Sequence, residues 1–300
     1  MKIVSLLPAA TEIVCALGLR DRLVGRSHGC DFPRDVASLP ALTRPRVDSS
    51  LPSAQLDAEV RRVVASRLPI YMLDEARLAG LAPDVVVTQA ACEVCAISYD
   101  QVATSLKRTA PRARLVSLQP SRLGEVLGDV RAVASACGVR EQGESVAGAL
   151  EGRLAGVSAA AAARGRPRVA VVEWLVPPML AGHWVPEAIE AAGGVSVGPA
   201  PGAMSPCATW EEVRALDPDA IVVAPCGFDL ARTIAETRPL LDTLRALAPR
   251  VLLLDGNAYL NRPGPRIVEA VETIAAWLRG EYTPEDRGLA LEPATVATGR

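Results

Sequence analysis

Short all-apolar runs alternate along this chain with stretches whose apolar residues return every three or four positions. Runs at 2–6, 22–26, 84–88 and 114–118 predict strands, and the stretches near 10–18, 54–66, 74–81, 98–109 and 121–137 predict helices. Such alternation predicts an α/β lobe with a mostly parallel sheet. From about Arg140 to Arg164 the chain is rich in Ala, Glu and Arg and free of proline, which predicts one stiff connecting helix roughly 35 Å long. After Gly165-Arg166-Pro167 the alternation resumes with strand 168–174, helix 184–192, helix 209–216, strand 219–224, helix 229–247, strand 250–255 and helix 264–279. The expected division is an N-terminal lobe over 1–139, a linking helix over 140–165, a C-terminal lobe over 166–280 and a loose tail over 281–300, where no periodic pattern remains.

The pattern also repeats in its letters. Leu81-Ala82-Pro83-Asp84-Val85-Val86-Val87, followed by Cys92, returns as Leu216-Asp217-Pro218-Asp219-Ala220-Ile221-Val222, followed by Cys226, with the two Pro-Asp turns 135 positions apart. A weaker echo pairs Ile3-Val4-Ser5 with Val169-Ala170-Val171. The expected architecture is therefore two similar α/β lobes with mostly parallel sheets, joined by a single long α-helix and enclosing a ligand cleft.

Composition narrows the function classes. Half of the 300 residues are hydrophobic, enough for two cores. Thirty-two Lys and Arg stand against 34 Asp and Glu with no basic stretch, so nucleic acid is set aside as a partner. No segment reaches the roughly 18–20 apolar residues of a membrane span. The opening run of apolar residues is too short for a secretory core, which predicts a soluble, cytoplasmic protein. No phosphate-cradling loop of Walker or dinucleotide spacing and no Gly-x-Ser-x-Gly elbow is present, which disfavours nucleotide chemistry and serine hydrolysis.

In open α/β sheets ligands bind beyond the carboxyl ends of the strands. The residues predicted there are Pro8, Ala9, Ser27-His28-Gly29-Cys30, Gln89 and Cys92-Glu93-Val94-Cys95 in the first lobe. In the second they are Glu173-Trp174, His183-Trp184, Cys226-Gly227-Phe228, Asn257, Tyr259 and Arg262. Both histidines, four of seven cysteines and four of ten aromatic side chains thus share one predicted surface. Cys15 and Cys137 lie instead in helical contexts typical of buried free thiols.

The Cys92-x-x-Cys95 spacing suits a metal or cofactor site, a dithiol redox pair, or thiols that merely line a cleft. With His28 and Cys30 it would complete one imidazole and three thiolates, a set that zinc favours and iron accepts. His183 is either a group at a helix start or a ligand contact, and its neutral imidazole could ligate cobalt or iron. Trp174, Trp184, Phe228 and Tyr259 serve either as ordinary core or as rings against a flat ligand. Glu173 reads as a salt-bridged acid or a recognition group. Arg262 either locks the last helix or presents its guanidinium to a ligand.

At Ser5-Leu6-Leu7-Pro8-Ala9-Ala10-Thr11-Glu12, Asp31-Phe32-Pro33, the Pro-Asp strands, Pro177-Pro178 and Arg262-Pro263-Gly264-Pro265-Arg266, the chain resembles the vitamin-B12- and siderophore-binding class of periplasmic binding proteins. More narrowly it resembles the cobalamin-binding subgroup carrying a Cys-x-x-Cys after a first-lobe strand. The resemblance covers residues 1 to about 280 and implies a corrinoid or other metal-chelate ligand, with Tyr259 and Arg262 at positions that contact cobalamin. The resemblance implies an exported binder with a signal peptide, whereas the opening apolar run leads us to expect none, and an ABC permease partner has no support in the letters. The rival reading is an intracellular metal- or thiol-dependent enzyme, or a metal-handling protein, centred on His28, Cys30, Cys92, Cys95, His183 and Cys226.

Overall fold

A computed structural model describes residues 1–90, 97–161, 165–283 and 288–291. It divides into two units, Met1–Pro120 with Gly124–Glu151, and Ser121–Leu123 with Gly152–Arg300. The first unit runs β1 (Ile3–Ser5), α1 (Pro8–Ala16), β2 (Leu23–Arg26), β3 (Thr43–Pro45), α2 (Ser53–Ala65), β4 (Tyr71–Leu73), α3 (Glu75–Leu81), β5 (Val85–Gln89), α4 (Tyr99–Thr109), β6 (Arg114–Leu118) and α5 (Leu123–Ala136). Its parallel sheet has the order β2-β1-β5-β6, while β3 and β4 form a separate antiparallel ribbon. Val4, Leu6, Leu42, Leu78, Val86, Val102 and Leu106 make the core on one side of this sheet.

The helix expected over 140–165 is α6 (Arg140–Ala161), and the division into units falls within it. The second unit continues with β7 (Arg168–Leu175), β8 (Pro178–Leu180), α7 (Val185–Ala191), β9 (Val195–Ser196), α8 (Trp210–Ala215), β10 (Ala220–Val223), α9 (Leu230–Thr237), α10 (Leu241–Leu247), β11 (Arg250–Leu254), α11 (Ile267–Leu278) and β12 (Gly288–Leu291). The sheet order is β12-β11-β10-β7-β8, with β9 beside the start of β7. Strands β7, β10 and β11 are parallel; β8 and β12 are antiparallel edges.

The repeat seen in the letters is a repeat of hydrogen bonds. The Asp84 carboxylate accepts from the Lys2 main-chain N–H at 2.7 Å, and Asp219 accepts from the Arg168 N–H at the same distance. Lys2 in turn donates its ammonium to the Leu81 carbonyl, as Arg168 donates its guanidinium to the carbonyls of Leu216 and Asp217. Each basic residue so satisfies a helix end, and Ala82 and Asp217 take the same left-handed backbone there. One device thus seats β5 beside β1 and β10 beside β7.

Two stretches differ from expectation. The single helix predicted over 229–247 is broken into α9 and α10 by a 3-10 turn at Arg238–Leu240, because Pro239 offers no N–H and its ring crowds the preceding turn. Within the stretch from 281 expected to be loose, β12 pairs with β11 through Val251↔Leu291 to Leu254↔Gly288, an edge that four residues cannot announce by periodicity. Among the described residues no helix is long and apolar enough to cross a membrane.

On α5, Asp129 has one carboxylate oxygen buried without a hydrogen-bond partner among the described residues. Burial first, and the Glu125 charge second, push its pKa up from 3.8 to about 7. Between those values the folded chain holds a proton that the unfolded chain has released, so stability falls as pH rises, by at most about 1.4 kcal/mol per pH unit. Asp129→Asn is expected to flatten the dependence of the unfolding midpoint on pH between about 5 and 7, measured by thermal denaturation. A slope identical to that of the unaltered chain would refute the assignment.

Candidate functional site

Each unit presents its own carboxyl-edge face. In the first, Pro8 opens α1 at its first turn, where a missing N–H costs nothing, and Ala9 beneath it is buried. Ser5 and Thr11 are joined by a 2.8 Å hydrogen bond, and the Thr11 hydroxyl lies 2.9 Å from Cys30 Sγ. Cys30 is 2% exposed and so belongs to this buried polar cluster under the loop. Gln89 ends β5, also buried. His28 is exposed beyond β2; its ring packs on Tyr71 with centroids 5.2 Å apart, and its Nδ1 lies 2.8 Å from Thr43 Oγ1. Desolvation, then the Arg26 charge, lower its pKa, which favours the neutral ring. Cys92, Glu93 and Cys95 lie outside the described residues, so the proposed zinc or iron set of His28, Cys30, Cys92 and Cys95 is represented here by its first two members only. Among the described residues no three His, Cys, Asp or Glu side chains gather as a metal cluster.

In the second unit the expected residues form one connected group. The Cys226 N–H donates to the Glu173 carbonyl at 3.0 Å, and the rings of Trp174 and Phe228 meet at 5.1 Å and 56°. The Asn257 N–H donates to the Phe228 carbonyl, while Asn257 Oδ1 accepts from the Arg262 guanidinium at 2.8 Å. Arg266 lies over the Tyr259 ring, and the Trp184 indole N–H donates to the Leu260 carbonyl at 2.7 Å. Trp184 stacks with His183 at 5.7 Å and 29°.

Depth separates these residues. Phe228 is 1% exposed and Arg262 6%, so both lie beneath the edge. Phe228 fills the space between Trp174 and Arg232 of α9, whose guanidinium stands 3.6 Å over the ring. Arg262 donates to Asn257 Oδ1 within its own loop. Glu173, Trp174, His183, Trp184, Cys226, Asn257 and Tyr259 are half-buried. Among the described residues the buried Trp174 indole N–H has no hydrogen-bond partner.

His183 has a left-handed backbone, φ +52°, uncommon for a residue with a side chain. A crossing loop holds it there. The His183 N–H donates to the Ala203 carbonyl at 2.6 Å, its own carbonyl accepts from the Gly202 N–H, and the Gly182 N–H donates to Ser205 Oγ. Burial lowers the His183 pKa as well. His183 stands immediately before Trp184, the cap residue of α7, where no side-chain cap bond is made.

Several residues of these faces escaped the sequence reading: Thr43 and Tyr71 under His28, and the loop carrying Ser205 and Met204, the latter 81% exposed. The Gly-Pro-Ala-Pro-Gly run from Gly198 signals a loop but not what it crosses. Cys15 and Cys137 are free thiols whose pKa burial raises, that of Cys15 to about 11, which keeps them protonated and unreactive.

A family model described as periplasmic binding protein matches residues 3–249. The chain belongs to the periplasmic binding protein family. The family expected from the opening motif and the Pro-Asp strands is therefore the right one, while the Cys-x-x-Cys subgroup rests on residues outside the described set. No curated protein sequence matches the chain. Among solved structures, it is similar to the periplasmic vitamin B12 binding protein of Vibrio cholerae, at 22% identity over 93% of this chain and 97% of that one, with a TM-score of 0.67. It is also similar to a periplasmic heme-binding protein of Roseiflexus sp. RS-1 (21% identity, 93% and 98% covered, TM-score 0.69) and to one of Pseudomonas aeruginosa (20%, 98% and 98%, 0.69). At such identities the likeness is one of fold. In family terms, the fold class read from the sequence is the one found.

Proposed function

We propose that this chain is a solute-binding protein for a planar metal chelate, a corrinoid of the cobalamin kind in the first place and a haem-like complex in the second. The observation that carries the reading is that the carboxyl-edge face of each unit bears an imidazole packed on an aromatic ring, His28 on Tyr71 and His183 on Trp184. A corrin or porphyrin offers a flat conjugated surface for such rings and a metal with axial positions that a neutral imidazole can approach. The similar proteins of Vibrio cholerae and Roseiflexus, named for vitamin B12 and heme, support the same ligand class.

Recognition by a half-buried, hydrogen-bonded edge needs little rearrangement of either unit's own residues. Titrating the purified chain with cyanocobalamin, aquocobalamin and ferric haem in a calorimeter is expected to give saturable one-to-one heat with at least one of them. Absence of heat and of any change in the visible spectrum with all three would reject the proposal. Delivery to an ABC permease is the partner this reading implies, and cell fractionation would test it against the cytoplasmic expectation.

A further inference from the structure

The loops at the carboxyl edge of the second unit meet at Asn261. The loop after β10 carries Cys226, and the loop after β11 carries Asn257 and Tyr259. From within the second loop, the Asn261 side-chain amide donates to the Gly256 carbonyl at 3.2 Å and reaches across to the Ala224 carbonyl of the first at 2.6 Å. The two main chains touch at this seam: a Cβ on Gly256 would stand 2.1 Å from the Pro225 carbonyl oxygen and 2.7 Å from the Ala224 carbonyl carbon. The Asn257 N–H crosses the same seam to the Phe228 carbonyl at 2.9 Å. Further bonds extend the joint, from the Cys226 N–H to Glu173 of β7 at 3.0 Å and from the Trp184 indole to the Leu260 carbonyl at 2.7 Å.

Resting on the solute-binding reading, we propose that Asn261 is the positioning residue of the second unit's ligand face, fixing Cys226 against Asn257 and Tyr259 before a chelate arrives. The two acceptors dictate the residue type. Two carbonyl oxygens call for two donors on one short, uncharged arm; serine and threonine offer one donor, aspartate none, and glutamine is longer by a methylene. Because both partners accept, the amide nitrogen must be the atom that faces them. Gly256 has no side chain with which to interlock the loops, so the hydrogen bonds of Asn261 and Asn257 carry the joint. A face whose spacing is set beforehand loses little ordering entropy on binding and takes its ligand in one step.

The test takes the full chain with aquocobalamin and with ferric haem. Stopped-flow absorbance of the unaltered chain is expected to give an observed rate that rises linearly with chelate concentration. Asn261→Ala should weaken binding about tenfold and bend that line toward a plateau, because the loops must then assemble around the ligand. Asn261→Asp keeps the shape and removes both donors, so it should behave like Asn261→Ala. Leu244→Ala, a buried position of α10 outside these loops, also lowers stability but should leave the rate linear, which separates positioning from a general loss of stability. Hydrogen exchange of the free chain reads the joint without a ligand: the amides of Cys226 and Asn257 should lose protection about tenfold in both Asn261 variants, with those of Ile221 and Val222 in β10 unchanged. If the variants bind with unaltered affinity and a linear rate, or if Cys226 and Asn257 keep their protection, Asn261 is no positioning residue and the solute-binding reading stands. If neither chelate binds the unaltered chain, that reading fails and the positioning role falls with it.

Discussion

Replacing Phe228 by alanine is expected to lower the unfolding free energy of the second unit by about 3–5 kcal/mol and to weaken ligand binding at the same time. The ring is almost wholly buried, 5.1 Å from Trp174 on one side and 3.6 Å below the Arg232 guanidinium on the other. Its removal leaves a cavity whose walls cannot close, because its own backbone is fixed by hydrogen bonds between its N–H and Pro225 and between its carbonyl and the Asn257 N–H. Trp174 loses its lateral support and the Asn257–Arg262 loop loses its floor. Phe228→Leu separates the contributions: it restores most of the volume, so only the cation–π contact, about 1 kcal/mol, and some shape complementarity are lost. Urea unfolding should show a lower midpoint at unchanged denaturant dependence for both variants, in that order of severity. Equal stability of Phe228→Ala and the unaltered chain would mean that the ring is not the packing element described.

Gly182→Ala is the second large effect, and it acts through the backbone. A Cβ at this position would stand 2.3 Å from the Ala203 carbonyl oxygen and 2.9 Å from the Met204 carbonyl carbon, both main-chain atoms that no rotamer change can move aside. The crossing loop must lift, at an expected cost of about 2–3 kcal/mol. In lifting, it breaks the bonds that hold His183 in its left-handed conformation. Chelate affinity should therefore fall together with stability. Ser205→Ala, which removes one bond to the loop and leaves the glycine, should cost only about 1 kcal/mol. Gly148→Ala is the contrasting substitution: this glycine is exposed on α6 with open space around it, and alanine there should raise stability by up to about 1 kcal/mol. Thermal denaturation of the three variants, followed by titration of the folded ones, tests the pair of claims. A Gly182→Ala chain as stable as the original would remove the case for a seated loop.

The sequence by itself determined the periodic and the repeated. All-apolar runs, the 3.6-residue rhythm of the helices and the twice-written Pro-Asp turn are local properties of the letters, and the strands, the long α6 and the family follow from them. The partners of Asp84 and Asp219, the main-chain N–H groups of Lys2 and Arg168, came only from the structure. The tertiary structure alone decided depth and orientation. Phe228 and Arg262 look alike in letters to the exposed residues around them, and only the packing of α9 and the Asn257 loop puts them underneath. Thr43 and Tyr71 carry no periodic signal in three-residue strands, yet they hold His28 from 15 and 43 positions away. The physical reason is the range of the interactions: backbone preference and amphipathic period act within a turn or two, whereas burial, ring contact and the choice of a histidine's proton partner arise where distant segments meet.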